Sequence, residues 1–92
     1  MATTKEYRDY ALENTKLDIT YKPMMGEYLL YYNNILFGGI YDDRLLVKKV
    51  ESNKKYNMEE SIPYEGAKAM YLVDVDSSNI KDIILDTYND LK

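Results

Sequence analysis

Residues 26–50 constrain the fold most, because they combine strand-forming runs with two very short breaks. The β-prone runs at 27–32 and 35–41 are separated by two asparagines, and a third run at 44–50 follows two aspartates. Asparagine and aspartate tolerate the left-handed backbone that a two-residue hairpin turn requires. The pattern therefore predicts three antiparallel strands joined by tight turns.

Both faces of this predicted sheet are apolar, because successive strand side chains point to opposite sides. With two-residue turns, one face holds Leu29, Tyr31, Leu36, Gly38, Ile40, Leu45 and Val47. The other holds Tyr28, Leu30, Tyr32, Ile35, Phe37, Gly39, Tyr41, Leu46 and Val50, with Arg44 and Lys48. A sheet with one wet side is apolar on one face only. Helices are expected to cover one face, and the aromatic-rich face then needs the middle segment, the chain termini or a second molecule.

Helices are predicted at both ends of the chain. Thr3 and Glu6 fit a capping box, in which each side chain binds an otherwise unpaired backbone N–H. The last segment has one continuous apolar stripe at helical spacing, with a cap at Ser77, Ser78 or Asn79. Its members are Ile80, Ile83, Ile84, Thr87, Tyr88 and Leu91. Between these ends, residues 51–61 allow a short helix and residues 69–75 predict a further strand, so residues 1–92 form a single α+β domain.

The composition excludes several classes of chemistry. The 92 residues include no Cys and no His, which excludes disulfides, a thiolate nucleophile, a Cys/His zinc site and a histidine general base. Neither a catalytic residue, a metal site nor a cofactor is predicted. Charged residues near the start interrupt any secretory signal, and no run approaches the ~20 apolar residues that cross a bilayer. We expect a cytoplasmic protein without a membrane partner.

The charge balance argues against nucleic acid as a partner. Lys and Arg number 12 against 16 Asp and Glu, for a net charge of −4, whereas nucleic-acid affinity rests mainly on Lys and Arg contacts to phosphates. One basic stretch is present, with Arg44, Lys48, Lys49, Lys54 and Lys55.

Three polar or glycine motifs carry structural interpretations. Asp74 and Asp76 resemble the start of a calcium loop, but Asn79 stands where glycine is required. We expect these carboxylates to favour the N-terminus of the final helix. Adjacent glycines at 38 and 39 indicate a bulge or a close backbone approach, with helix packing as the expected cause. The acidic residues at 27, 42 and 43, with Lys48, are assigned to turns and sheet edges rather than to acid–base catalysis.

Two segments carry a family resemblance. MMGEYLLYYNNILFGGIYDDRLLVK at 24–48 and PYEGAKAM at 63–70 resemble the N-terminal domain of the TfoX (Sxy) family, bacterial regulators of natural competence. Positions that fit its pattern are Met24, Met25, Gly26, Tyr32, Phe37, Asp42, Asp43 and Lys48. The resemblance implies an α+β fold with helices on a two-layer antiparallel sheet, in the secretion-chaperone-like order α-β(3)-α-β(2)-α, and no catalytic residues. Competence regulators carry a second, helical domain, so this chain is expected to act as a stand-alone N-terminal domain.

These observations favour a small non-catalytic regulatory or protein-interaction domain that acts through its aromatic-rich sheet face. The candidate surface consists of Tyr28, Tyr32, Phe37, Tyr41, Arg44 and Lys48. Its partner would be another protein or a second copy of the chain in a homodimer. Two alternatives stay open: a transcriptional co-regulator that contacts nucleic acid through residues 44–55, and a small-ligand-binding domain.

Overall fold

A six-stranded antiparallel sheet with two helices on one face forms the protein in a computed structural model that describes residues 3–92. The elements are α1 (Lys5–Thr15), β1 (Thr20–Met24), β2 (Glu27–Tyr32), β3 (Ile35–Ile40), β4 (Leu45–Val47), a 3₁₀ helix (Glu51–Tyr56), β5 (Glu60–Ser61), β6 (Met70–Val73) and α2 (Ile80–Leu91). The strand order across the sheet is β1-β2-β3-β4-β6-β5. The predicted α+β class and antiparallel sheet are confirmed.

Both predicted hairpin turns are present. Asn33 and Asn34 have φ values of 48° and 67°, and Asp42 and Asp43 have 52° and 55°. These values lie in the left-handed region that a type I′ turn needs at both central positions. The residues that flank the aspartates exchange two backbone hydrogen bonds, of 2.9 and 3.0 Å. The two turns fix β2, β3 and β4 as consecutive antiparallel neighbours.

The predicted order α-β(3)-α-β(2)-α is wrong by one strand, because β1 precedes the predicted meander and pairs with β2. Four strands therefore come before the middle helix, which is a 3₁₀ helix. Strand β1 is almost wholly exposed and contains Pro23, which pairs with Tyr28. Proline is tolerated at a sheet edge, where no neighbour needs its missing N–H. A polar edge strand with a proline lacks the apolar alternation that identifies strands in a sequence.

A β-bulge at Phe37 exchanges the two predicted faces along half of the sheet. Leu30 pairs with Gly38 and Tyr31 with Leu36, so that Phe37 is an extra residue on β3. A bulge shifts the alternation of side chains by one position. The helix-covered face therefore combines Tyr28, Leu30 and Phe37 with Ile40, Leu45 and Val47, members of both predicted sets.

The core lies between this face and the two helices. Ala11 of α1 and the predicted apolar stripe of α2 pack against it, with Ile80, Ile83 and Ile84 at most 4% exposed. The first helix begins differently from the prediction, because the hydroxyl of Thr4, and not of Thr3, accepts the capping hydrogen bond from the Tyr7 N–H at 3.1 Å. In residues 3–92 every helix is too short or too polar to cross a membrane.

The close approach predicted at Gly38 is present, but a strand rather than a helix causes it. A Cβ at Gly38 would lie 2.9 Å from the Val47 Cα atom and closer still to the Leu46 carbonyl oxygen. These two residues belong to β4, which pairs with β3 at this point. The expectation that helix packing requires the glycine is therefore wrong.

Candidate functional site

The predicted aromatic surface is divided between the two sides of the sheet. Tyr28 and Phe37 are 9% and 0% exposed and belong to the core beneath the helices. The ring of Tyr32 packs edge-to-face on Tyr88 of α2, with ring centroids 4.9 Å apart. These three side chains therefore stabilise the fold and do not form the exposed surface that the alternation predicts.

Tyr41 and Lys48 lie on the opposite side, where they line a cleft of about 540 Å³. The sheet contributes Leu29, Leu36 and Met70 to this cleft. The loop between β5 and β6 forms its wall with Pro63, Tyr64 and Ala67. We call this feature the open-face cleft, because α1 and α2 cover the other face of the sheet.

Arg44 holds the wall of the open-face cleft in place. Its guanidinium donates hydrogen bonds to the Ser61 hydroxyl and to the backbone carbonyls of Ile62 and Pro63, the latter two at 3.1 and 3.3 Å. Its Nε donates to the Tyr41 carbonyl at 3.2 Å. Arg44 was predicted as a surface contact, but its donors are engaged within the fold, where they join the second hairpin turn to the loop.

Tyr41 forms an apolar part of the cleft because Gly39 makes room for its ring. A Cβ at Gly39 would lie 2.6 Å from a Tyr41 ring carbon. Tyr41 is 5% exposed, and its ring centroid lies 6.1 Å from that of Tyr64. Burial raises the pKa of the Tyr41 hydroxyl, with smaller contributions from Tyr64 and Glu27. Its side chain is therefore neutral at neutral pH.

The rim of the cleft is positively charged. Lys48, Lys49 and Lys68 line it, and within the described part of the chain no carboxylate does so. The Lys49 ammonium pairs with Glu60 at 3.1 Å and lies 5.7 Å from the centroid of the Tyr71 ring. Lys48 and Lys68 form no ion pair with any residue from 3 to 92. Two ammonium groups are thus available to an anionic ligand.

The remaining predicted basic residues lie elsewhere. Lys54 pairs with Glu51, and Lys55 pairs with Asp86 of α2, each at 3.1 Å. Both lysines belong to the 3₁₀ helix. The basic stretch at 44–55 therefore does not form one continuous surface.

The predicted carboxylate groups have structural partners. One Glu27 oxygen accepts hydrogen bonds from the Thr3 N–H at 3.0 Å, the Thr3 hydroxyl at 2.7 Å and the Asp42 N–H at 3.0 Å. Asp74 accepts a 3.0 Å bond from the Asp76 N–H, which forms a turn before α2. Lys48, which the sequence pattern grouped with Glu27, lines the open-face cleft instead. Across residues 3–92, no three Asp or Glu side chains are grouped to hold a metal ion.

Sequence patterns identified three cleft residues as candidate contacts, Tyr41, Lys48 and Lys49 of the basic stretch, and missed most of the others. The missed residues come from strands whose face changes at the bulge and from a loop distant in sequence. A signal for the loop was present, since Pro63 and Gly66 mark it and Lys68 gives it a positive charge. Nothing in the sequence pattern indicated that this loop folds against the sheet.

Comparison with known proteins relates the chain to a protein of Spirochaeta aurantia, described as "Uncharacterized 12.7 kDa protein in trpE 5'region". The two are 31% identical over 78 residues, which cover 80% of this chain and 68% of the relative. This chain belongs to the family of that protein. The relative's description names no activity, ligand or partner. No family model and no solved structure matches the chain, so the open-face cleft is this chain's candidate site on the strength of its own geometry.

Proposed function

We propose that this chain is a non-catalytic, cytoplasmic interaction domain that regulates a partner protein by binding it in the open-face cleft. The observation that carries the proposal is the cleft itself, in which an apolar floor is bordered by lysines and closed on one side by a loop that Arg44 holds. Binding sites of this kind combine an apolar surface with a few polar groups that fix orientation.

Two further observations support a role in binding rather than catalysis. The chain contains neither Cys nor His. Glu27, one of the acidic residues considered for acid–base catalysis, accepts structural hydrogen bonds from Thr3 and Asp42. The resemblance to the N-terminal domain of TfoX regulators also implies a regulatory domain without catalytic residues. Both the TfoX assignment and the regulatory role are parts of this proposal.

Photo-cross-linking in the native host tests the proposal. The photoreactive amino acid p-benzoylphenylalanine replaces Tyr64 on the cleft wall in one variant and Tyr10 on α1 in the other. The two tyrosines form a matched pair, because they are 57% and 49% exposed and lie on different sides of the molecule. We expect irradiation to yield a protein adduct from position 64 and none from position 10.

Adducts of equal yield at both positions would indicate non-specific contact and would overturn the proposal. Adducts at position 10 alone would show that the binding surface lies on the helical side of the molecule. An adduct at position 64 that contains nucleic acid instead of protein would favour the co-regulator alternative. Thermal unfolding of both variants checks that each retains the fold.

A further inference from the structure

We infer that the segment bound in the open-face cleft is an extended, acidic peptide with apolar anchor residues. The inference rests on the proposed function and specifies the chemistry of the partner.

The first step is charge complementarity. The protein carries a net charge of −4, yet Lys48 and Lys68 line the cleft without an ion pair among the described residues, and no carboxylate of those residues lines it. The Lys49 ammonium is paired with Glu60 and adds little to this charge. Such a positive rim attracts Asp and Glu and repels basic segments. The acidic remainder of the molecule directs a negatively charged segment toward this rim and away from the other surfaces.

The second step is the chemistry of the floor. Leu29, Leu36 and Met70 line the cleft between the lysines and the loop, and all three are only partly buried. Covering such surface stabilises a complex by about 25 cal/mol per Å² of apolar area removed from water. A ligand with charge alone would leave this area exposed to water, so the bound segment needs apolar side chains between its acidic ones.

The third step is an incomplete strand pairing beside the cleft. Strand β3 has six residues, but its pairing with β4 runs from Gly38 to Ile40 and is extended only by a 2.9 Å hydrogen bond from the Lys48 N–H to the Phe37 carbonyl. Ile35 lies opposite Tyr32 across the two-residue turn, so its backbone groups face β2. Among the described residues, no strand pairs with Leu36 on the β4 side. A local sheet edge of this kind accepts an extended peptide through backbone hydrogen bonds, while alternate side chains of the peptide enter neighbouring pockets.

The same features argue against nucleic acid as the occupant. Single-stranded nucleic acids bind where a positive groove follows the backbone and aromatic rings are exposed for stacking. Of the two aromatic residues that line the described cleft, Tyr41 is 5% exposed and only Tyr64 is well exposed, at 57%. One exposed ring does not form a platform for successive bases, and much of the floor is aliphatic. A peptide with alternating acidic and apolar residues fits the lysines, the floor and the sheet edge together.

Selection from a random peptide library tests the inference directly, because it requires no identified partner. Random dodecapeptides displayed on phage are selected on immobilised wild-type protein after depletion on the blank support only, so that peptides that do not need the lysines are retained. The Lys48→Gln/Lys68→Gln double variant is used in the binding measurements. The most enriched peptide is then synthesised with a fluorescein label and titrated by fluorescence anisotropy. The matched control is Lys81→Gln, which removes one exposed lysine from α2.

We expect enriched peptides in which Asp or Glu alternates with apolar residues. The double variant should bind the labelled peptide about tenfold more weakly, since two partly exposed charge pairs together contribute about that factor. Lys81→Gln should change affinity less than about twofold, and the wild-type affinity should fall as salt screens the lysines. Circular dichroism verifies that the variants are folded.

Several outcomes would overturn the inference. Enriched peptides that are neutral or basic, and that bind the double variant equally well, would exclude an acidic segment. If Leu36→Asp abolishes binding of those peptides, the cleft remains a protein-binding site and the proposed function survives. Three other results would assign the cleft to something other than an acidic partner segment. They are failure to enrich any peptide, tighter binding of fluorescein-labelled oligothymidylate than of the selected peptide, and a dimer that the double substitution dissociates.

Discussion

At the scale of single residues, the carboxylate of Glu27 joins the start of α1 to the second hairpin turn. It accepts hydrogen bonds from the N–H and the hydroxyl of Thr3 and from the N–H of Asp42. The Thr3 hydroxyl in turn accepts a 3.2 Å bond from the Asp43 N–H. Thr3 is 6% exposed, so these donors would be poorly hydrated without their acceptor.

Glu27→Gln should therefore destabilise the protein. The amide keeps the shape of the side chain but loses the charge and replaces one acceptor oxygen with a donor. We expect a loss of about 1–2 kcal/mol in the free energy of unfolding, measured by urea denaturation at neutral pH. Glu13→Gln on the exposed surface of α1 is the control and should change stability by less than about 0.5 kcal/mol. Equal stability of both variants would show that the Glu27 interactions contribute little.

At the scale of elements, the 3₁₀ helix is held against α2 by a small polar network. The Tyr56 hydroxyl donates to Asp86 at 2.6 Å, and the Lys55 ammonium pairs with the same carboxylate oxygen at 3.1 Å. Deeper in the contact, the Asn53 side chain donates to the Thr87 hydroxyl at 2.8 Å. The hydrogen bond to Asp86 is the main cause that raises the pKa of Tyr56 to about 12. The same bond, followed by Lys55, lowers the pKa of Asp86.

These shifts predict how the contact depends on pH. Because the folded pKa of Asp86 is lowered, its stabilisation is present above the unfolded value of about 4 and is lost as the pH falls through the folded pKa. Because the folded pKa of Tyr56 is raised, its stabilisation is complete below about pH 10 and is lost as the pH rises towards 12. The network is therefore fully stabilising across the neutral range.

Tyr56→Phe should reveal this pH dependence. At neutral pH we expect the variant to lose about 1 kcal/mol of unfolding free energy. The difference from wild type should shrink as the pH falls below about 4, where protonation of Asp86 weakens the bond in the wild type as well. Urea denaturation over this range measures the difference, and Tyr64→Phe on the exposed loop is the control. A difference that stays constant with pH would contradict a role for the Asp86 carboxylate.

At the scale of the whole molecule, local features were predictable and long-range ones were not. Alternation and turn chemistry predicted β2, β3 and the two left-handed turns, because each depends on neighbouring residues. The bulge at Phe37 depends on how β2 and β3 pair, and it moves later side chains to the other face. For this reason Tyr41 and Lys48 line the cleft, whereas Tyr28 and Phe37 belong to the core. The role of Arg44 was not predicted either, since three of its four hydrogen-bond partners lie 17 or more residues along the chain.

The assignment of faces can be tested with two adjacent residues of β3. Phe37 is 0% exposed in the core, whereas Leu36 is partly exposed in the open-face cleft. Phe37→Asp buries a carboxylate without a partner and removes a large apolar group, at a cost of about 5 kcal/mol or more. This cost is comparable to the whole stability of a small domain. We expect circular dichroism and thermal unfolding to show that Phe37→Asp is largely unfolded.

Leu36→Asp should keep a cooperative transition, because water reaches its carboxylate. The opposite result would mean that β3 presents its other face to the helices, and that the open-face cleft does not exist in solution.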